Sequence, residues 1–288
     1  MIRITKHQFW FDELLKMELD TICYNLPKDW DSVLIISGDG NTRTGKTHIA
    51  QQAGAYCAEK LGTPFDASNL VFGSKALIRK GHELYKKGLT NSVIIYDEAR
   101  EGLDAKKIMQ GFVQDLLDFL NECGMYNHLL ILVLPDFFEL PKSIAINRST
   151  GLINVMSHEE LRTDNEGNKV FGWVRGRWEY FNRKAKKKLY INGKKYYDYE
   201  AFKRTSYGDF RKYWIIDESI YTKNKLEFLR RNRKNKDMRF SYCLKALCGL
   251  VSQREAVKLL KKAGFGMTQA RISQVIRELE EETKKNDH

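Results

Sequence analysis

Short apolar blocks alternate with longer stretches of helical periodicity over the first 158 positions, which predicts a three-layer α/β domain with a mostly parallel sheet. Phe9, Leu14, Leu15, Met17, Leu19 and Ile22 recur near the helical period, so residues 7 to 25 are expected to form an amphipathic helix ended by Pro27. Val33 to Ile36 reads as a strand, Lys46 to about Leu61 as a helix stopping near Gly62 and Pro64, and Leu70 to Phe72 as a short strand. SKALIRKGHELYKKG predicts another helix. SVIIYDEA and HLLILVLP are almost wholly apolar, as strands buried on both faces of a parallel sheet are, and a helix from about Ala105 to Glu122 is expected between them. SIAINRST reads as a short basic turn of helix and GLINVMS as a returning strand.

The pattern then changes. VFGWVRGRWEYFNR and KKKLYINGKKYYDY alternate aromatic, apolar and basic residues around turn signals such as Asn192-Gly193, which predicts a basic β-hairpin. From Asp217 the chain reads as helical again, with RRNRKNKDMR as a linker or an exposed helix end, and Phe240 onward reads as three helices. Three segments are therefore expected: an α/β core with its N-terminal helix over 1–158, a basic extension over 159–239, and a small helical domain over 240–288.

Charge sharpens this division. The 288 residues carry a formal net charge of +12, and 22 of the 49 bases but only 8 of the 37 acids lie between Lys169 and Arg239. Such concentration suits a polyanionic partner; a merely solvated face is the alternative. No stretch approaches the roughly 18 uninterrupted apolar residues of a membrane span. The first residues lack the apolar core and small-residue cleavage site of a signal peptide, so a cytoplasmic protein is expected. Cys23, Cys57, Cys123, Cys243 and Cys248 are scattered without metal-ligand spacing and read as buried free thiols.

The stretch SGDGNTRTGKT, directly after the first buried strand, brings in chemistry. Gly40, Asn41, Thr42, Arg43, Thr44, Gly45, Lys46 and Thr47 match the phosphate-loop pattern between a strand and a helix. Glycines let successive backbone N–H groups face a phosphate, and the positive helix end adds to the attraction. Lys46 is then expected to reach the β- and γ-phosphates of ATP, and the Thr47 hydroxyl to ligate magnesium. Asp97 closes a strand fifty-one positions after Lys46, where an α/β sheet binds ligands, and is expected to hold the metal through water; Glu98 beside it is placed to polarise an attacking water. A carboxylate adjacent to the metal aspartate favours hydrolysis over transfer to a small acceptor.

Over roughly Leu34 to Val155, the phosphate loop, IIYDEA and LLILVLPDFFELPKSIAINRS resemble RecA-type, additional-strand P-loop ATPases, nearest to the HerA/FtsK branch and the zonula-occludens-toxin-like ATPases of phages, plasmids and archaeal elements. The resemblance implies a motor of a mobile element that assembles as a homo-oligomeric ring, such as a hexamer, and makes Arg148 a candidate arginine finger; a salt-bridge or DNA-facing role is the alternative for that residue. The sequence departs from the family where the strand after the Asp-Glu pair ends in Pro135-Asp136 instead of Asn, Gln or Thr. Asp136 is a possible acceptor for the attacking water, although an ionised carboxylate cannot donate to phosphate.

The tail SQREAVKLLKKAGFGMTQARISQVIRELEEE resembles a helix-turn-helix unit, with Ser252 and Glu255 forming a capping box and Thr268 capping the second helix. That geometry directs Gln269, Ala270, Arg271, Ser273 and Gln274 toward DNA; a helical hairpin for protein contacts is the alternative. Arg175, Arg177, Arg183, Lys184, Lys186, Lys187 and Lys188 lie among Trp173, Trp178, Tyr180 and Phe181, a mixture that suits phosphate contact with base stacking and equally a sheet with an aromatic core face. The expected function is DNA-stimulated ATP hydrolysis driving DNA translocation, packaging or transfer. The alternatives are an ATP switch that loads partners on DNA or regulates transcription and, more distantly, a small-molecule phosphotransferase.

Overall fold

A computed structural model of the chain describes residues 2–4, 7–30, 32–38, 44–97, 118–119, 127–247, 249–262 and 266–286. It opens with two short antiparallel strands, β1 (Ile2–Ile4) and β2 (His7–Phe9), followed by helix α1 (Glu13–Asn25). The helix expected over residues 7 to 25 thus starts later. The Asp12 carboxylate accepts from the backbone N–H groups of Leu14 (2.9 Å) and Leu15 (3.3 Å), satisfying donors that any helix start leaves open. Pro27 stands in the 3-10 turn Leu26–Lys28 that follows the helix.

The chain continues through β3 (Ser32–Gly38), α2 (Lys46–Lys60), β4 (Leu70–Phe72), α3 (Ser74–Lys86), β5 (Val93–Asp97) and β6 (Leu129–Asp136). The expected helix from Ala105 to Glu122 lies outside the described residues except for Asp118 and Phe119. A π-helical turn, Ser143–Arg148, leads into β7 (Ser149–Thr163), β8 (Lys169–Asn182), α4 (Arg183–Gly193) and β9 (Ser206–Asp209). Seven strands form one sheet in the order β4-β5-β6-β3-β7-β8-β9. The first five of that order are mutually parallel, and β8 and β9 add antiparallel pairs.

Both faces of this sheet are covered. Leu34, Ile36, Ile95, Ile131 and Val133 pack with α1 and α2, while Val33, Ile35, Ile94, Tyr96, Leu130 and Leu132 pack with α3, the π-turn and α4. Alternate residues of one strand therefore bury against opposite layers, which is why these strands read as continuous apolar runs and not as alternating ones. The fold is α/β, with a mostly parallel sheet flanked by helices.

The hairpin expected around Asn192-Gly193 does not form. The Asn182 side-chain oxygen accepts from Lys184 N–H (3.1 Å) and Ala185 N–H (3.0 Å), starting α4 instead of a turn. Ala185, Leu189 and Tyr190 then recur at helical spacing and are buried against the sheet. The hairpin lies one segment earlier, between β7 and β8, paired from Gly151↔Asn182 to Thr163↔Lys169. Asp164 Oδ1 closes its loop by accepting from the N–H groups of Glu166 (2.9 Å) and Asn168 (2.8 Å). Pairing of β3 to β7 ends at Gly38↔Val155, so the outer part of this hairpin continues past the sheet as a two-stranded arm.

Helix α5 (Glu218–Leu247) contains the RRNRKNKDMR stretch and is followed by α6 (Gln253–Lys262) and α7 (Gln269–Asn286). The chain divides into compact units at 1–221 and 222–288. Residue 158 falls within β7, and residue 239 within α5. The second unit has its own small core of Cys243, Ala256, Leu260, Ile272 and Ile276. Cys23, Cys57 and Cys243 are free and buried, and no helix among the described residues is long and apolar enough to cross a membrane.

Gly176 joins the arm to the sheet. It lies beside the register shift between Met156 and Ser157, at φ +104°, and its carbonyl accepts from Phe210 N–H at 2.6 Å. A Cβ at this position would stand 2.5 Å from the Phe210 carbonyl oxygen. Gly176→Ala should therefore destabilise the first unit by about 1–3 kcal/mol, the range for a residue forced into a sparsely populated backbone region. Thermal unfolding followed by circular dichroism checks this, with a fall of about 2–4 °C expected per kcal/mol; an unchanged midpoint would contradict it.

Candidate functional site

Parallel strands bring their carboxyl ends to one edge of the sheet, so Gly38 of β3, Asp97 of β5 and Asp136 of β6 all stand there, beside the start of α2. Helix α2 begins on Gly45, which sits at φ +104° and supplies no capping side chain. A helix start without a side-chain acceptor is where an anion is best received. Of the expected phosphate loop, Thr44 to Thr47 are described, whereas Gly40, Asn41, Thr42 and Arg43 lie outside the described residues, as does Glu98. Lys46 Nζ folds back toward the strand end: it donates to Thr44 Oγ1 at 3.3 Å, and a Cβ on Gly38 would lie 2.9 Å from it.

Thr47 and Asp97, fifty positions apart in sequence, meet in space. The Thr47 hydroxyl donates to Asp97 Oδ2 at 3.2 Å, and the Tyr221 hydroxyl donates to the same oxygen at 2.8 Å. Asp97 is buried. A hydroxyl beside a carboxylate is the hard-oxygen pair that suits magnesium, and an ammonium beside a glycine-headed helix start suits a phosphate. Among the described residues no cluster of three or more His, Cys, Asp or Glu could hold a metal. Thr47 and Asp97 thus fit a magnesium ion that the Thr47 hydroxyl would ligate and Asp97 would hold through water.

Asp136 caps the turn that follows β6 and meets Tyr199. Its Oδ1 accepts from Phe138 N–H at 2.8 Å, capping a 3-10 turn, and lies 3.2 Å from the Tyr199 hydroxyl. Tyr199 accepts from Phe137 N–H (2.8 Å) and stands 2.7 Å from the Gly38 carbonyl. Burial, and then the Asp136 charge, push the Tyr199 phenol well above its ordinary pKa, so it stays a neutral donor. Asp136 and Tyr199 together tie the end of β6 to the end of β3.

A strap between β9 and α5 crosses α2. Gln52 Nε2 donates to the carbonyls of Arg211 (2.8 Å) and Tyr213 (3.3 Å), and Gln51 Oε1 accepts from Ile216 N–H (3.0 Å). Both glutamines are fully buried. The Phe210 ring lies against Gly45, and Trp214 meets His48 edge-on with centroids 4.2 Å apart. Burial, with the Lys212 charge, lowers the His48 pKa, so its imidazole is neutral at neutral pH. Tyr199, Tyr221 and the two glutamines carry no motif in the sequence. The only available signal was two adjacent glutamines on a helix otherwise rich in small apolar residues.

The other expected residues are spread widely. Arg148 precedes β7 at the opposite end of the sheet from Gly38; six residues of β7 separate the two ends, about 20 Å of strand. Arg183 and Lys184 are exposed at that same end, where Arg183 Nη2 donates to the Asn147 carbonyl at 3.4 Å. Lys186 is fully buried and donates to the carbonyls of Ala145 and Ile146, closing the π-turn that ends at Arg148. Burial lowers its pKa to about 7, and it is not available to a phosphate backbone. Arg175 and Arg177 are exposed on β8, Arg177 within 3.6 Å of Asp209. The aromatic residues divide: Trp178, Tyr180 and Phe181 belong to the core, whereas Phe171 and Trp173 are exposed on the arm.

In the second unit both expected capping hydroxyls, Ser252 and Thr268, accept from a helix-start N–H. Ser252 Oγ accepts from Glu255 N–H (3.2 Å) and Thr268 Oγ1 from Arg271 N–H (3.3 Å). Gln269, Arg271 and Gln274 are exposed on α7, and Arg271 donates to Gln274 at 2.6 Å. Ser273 turns inward, donating to Gln253 of α6 at 2.7 Å. The sequence matches no family model and no curated protein.

The contact between Gly45 and Phe210 is testable without any ligand. Gly45→Ala would put a side chain at positive φ, costing about 1–2 kcal/mol, and a Cβ 2.9 Å from the Phe210 ring. The variant should unfold at a lower temperature and show faster amide exchange in the strap at 210–216. Wild-type exchange there would mean that the strap does not depend on the helix start.

Proposed function

We propose that the first unit binds ATP with magnesium and hydrolyses it, and that the chain couples this hydrolysis to DNA as a motor of a mobile element. The observation that carries the reading is the meeting of Thr47 and Asp97 through a 3.2 Å hydrogen bond, next to Lys46 and a helix that starts on Gly45. The strand order supports it further: β6 lies between β3 and β5, as an additional-strand ATPase requires.

In this reading the α2 start and Lys46 hold the phosphates, and Thr47 and Asp97 hold the metal. A magnesium ion held by these residues would supply positive charge against the charge that develops on the phosphates. Glu98, next to Asp97 in sequence, orients and deprotonates the attacking water. Arg148, at the far end of the sheet, acts as a finger only on a neighbouring copy in a ring. The exposed bases Arg175, Arg177, Arg183 and Lys184, with Gln269, Arg271 and Gln274 of the proposed helix-turn-helix, supply DNA contacts.

One observation favours a second reading. Asp136, at the end of the central strand, is engaged in capping and in the Tyr199 contact, so the polar group that senses the γ-phosphate in related motors has no direct counterpart at that position. A nucleotide switch that holds DNA while ATP-bound, and turns over slowly, is consistent with this.

Steady-state ATP hydrolysis with and without double- and single-stranded DNA, at two salt concentrations, separates the readings. The motor predicts turnover stimulated by DNA, the stimulation weakening with salt; the switch predicts slow turnover with stable, ATP-dependent DNA binding. Lys46→Ala should lose nucleotide binding, and Glu98→Gln should retain ATP while losing turnover by at least about a hundredfold, the lower range for a general base. Turnover unchanged in Glu98→Gln would remove that residue from the mechanism, and hydrolysis indifferent to every nucleic acid would remove the DNA motor.

A further inference from the structure

We infer that Tyr221 is a positioning residue of the proposed magnesium site, fixing the Asp97 carboxylate from the first turn of α5; the inference rests on the nucleotide reading above. Asp97 Oδ2 receives two hydroxyl donors, from Thr47 at 3.2 Å and from Tyr221 at 2.8 Å. Thr47 belongs to the phosphate-loop pattern. Tyr221 does not, and it reaches the carboxylate from a segment 124 residues away in sequence.

The placement of this hydroxyl is built and not incidental. Its ring packs against Trp214 (centroids 5.1 Å apart) and Phe72 (5.8 Å), and Phe72 pairs with Asp97 in the sheet. Trp214 in turn meets His48, the neighbour of Thr47 on α2. The strap that leads into α5 is held on α2 by Gln51 and Gln52. The Asp217 carboxylate accepts from Ser219 N–H at 2.7 Å and so starts α5 at this place. The hydroxyl is thus indexed to the same helix that presents Lys46 and Thr47. A phenol donating to a buried carboxylate makes a charge-assisted bond that restricts its rotation. That restriction serves a carboxylate that must hold a metal's water shell in one orientation.

The test separates magnesium from nucleotide. Affinity for a fluorescent ATP analogue is measured in EDTA and across a magnesium titration for the wild type, Tyr221→Phe, Asp97→Asn, the double variant and Lys46→Ala. Phenylalanine keeps the ring in its packing, so Tyr221→Phe should bind the metal-free analogue as the wild type does. Its apparent magnesium affinity should be weaker by about tenfold, the usual worth of a hydrogen bond to a charged group. In the Asp97→Asn background the same change should cost nothing further, because the hydroxyl acts through that carboxylate. Equal magnesium affinity in Tyr221→Phe, additive losses in the double variant, or loss of metal-free binding as well would each overturn the inference. Failure of the wild type to bind the analogue any better than Lys46→Ala would sink the nucleotide reading itself, and the inference with it.

Discussion

Burial of the central strands on both faces is the constraint on which everything else in the first unit depends. Val33 to Ile36, Val93 to Tyr96 and Leu129 to Leu134 are buried throughout and lie between two helical layers. Such strands cannot carry polar side chains along their length without leaving them unpaired at a cost of about 1–3 kcal/mol or more each. Polar chemistry is driven to the strand ends, and because these strands are parallel, their ends coincide. Gly38, Asp97 and Asp136 share one edge for that reason.

The second consequence concerns what lies above that edge. Helix α2 carries Lys46 and Thr47 at its start and two buried glutamines one turn further on, and those glutamines hold the backbone of the strap. A strap needs acceptors and donors for its own peptide groups, and Gln51 Oε1 and Gln52 Nε2 supply one acceptor and one donor to it. The arrangement brings Phe210, Trp214 and Tyr221 to the helix start, so the surroundings of the candidate site are supplied by residues more than 150 positions beyond its first motif.

Basic residues have no single role in this molecule. Lys186 closes the π-turn from within, Arg177 stands by Asp209, and Arg183 reaches the Asn147 carbonyl, while Lys184, Lys187 and Lys188 are exposed on α4. Counting charge along the chain merges these cases, because burial depends on which face of α4 a lysine occupies. The same holds for the aromatic residues of β8, of which Trp178 is core and Trp173 is exposed, although five positions apart on one strand.

Periodicity and punctuation were legible from the sequence alone: the buried strands, α2 after a glycine-rich loop, and the caps at Ser252 and Thr268 follow from local rules that act within a few residues. The position of Asp97 at a strand end was legible for the same reason. Where two local rules conflicted, tertiary packing chose. Asn192-Gly193 offers a turn, but Asn182 caps a helix whose Ala185, Leu189 and Tyr190 cover the sheet, and α4 forms. Strand order, the opposite placement of Arg148, the capture of Asp136 by Tyr199 and the second donor on Asp97 were decided only by the tertiary structure. Each depends on which distant segments share a buried surface, and no spacing along the chain encodes that.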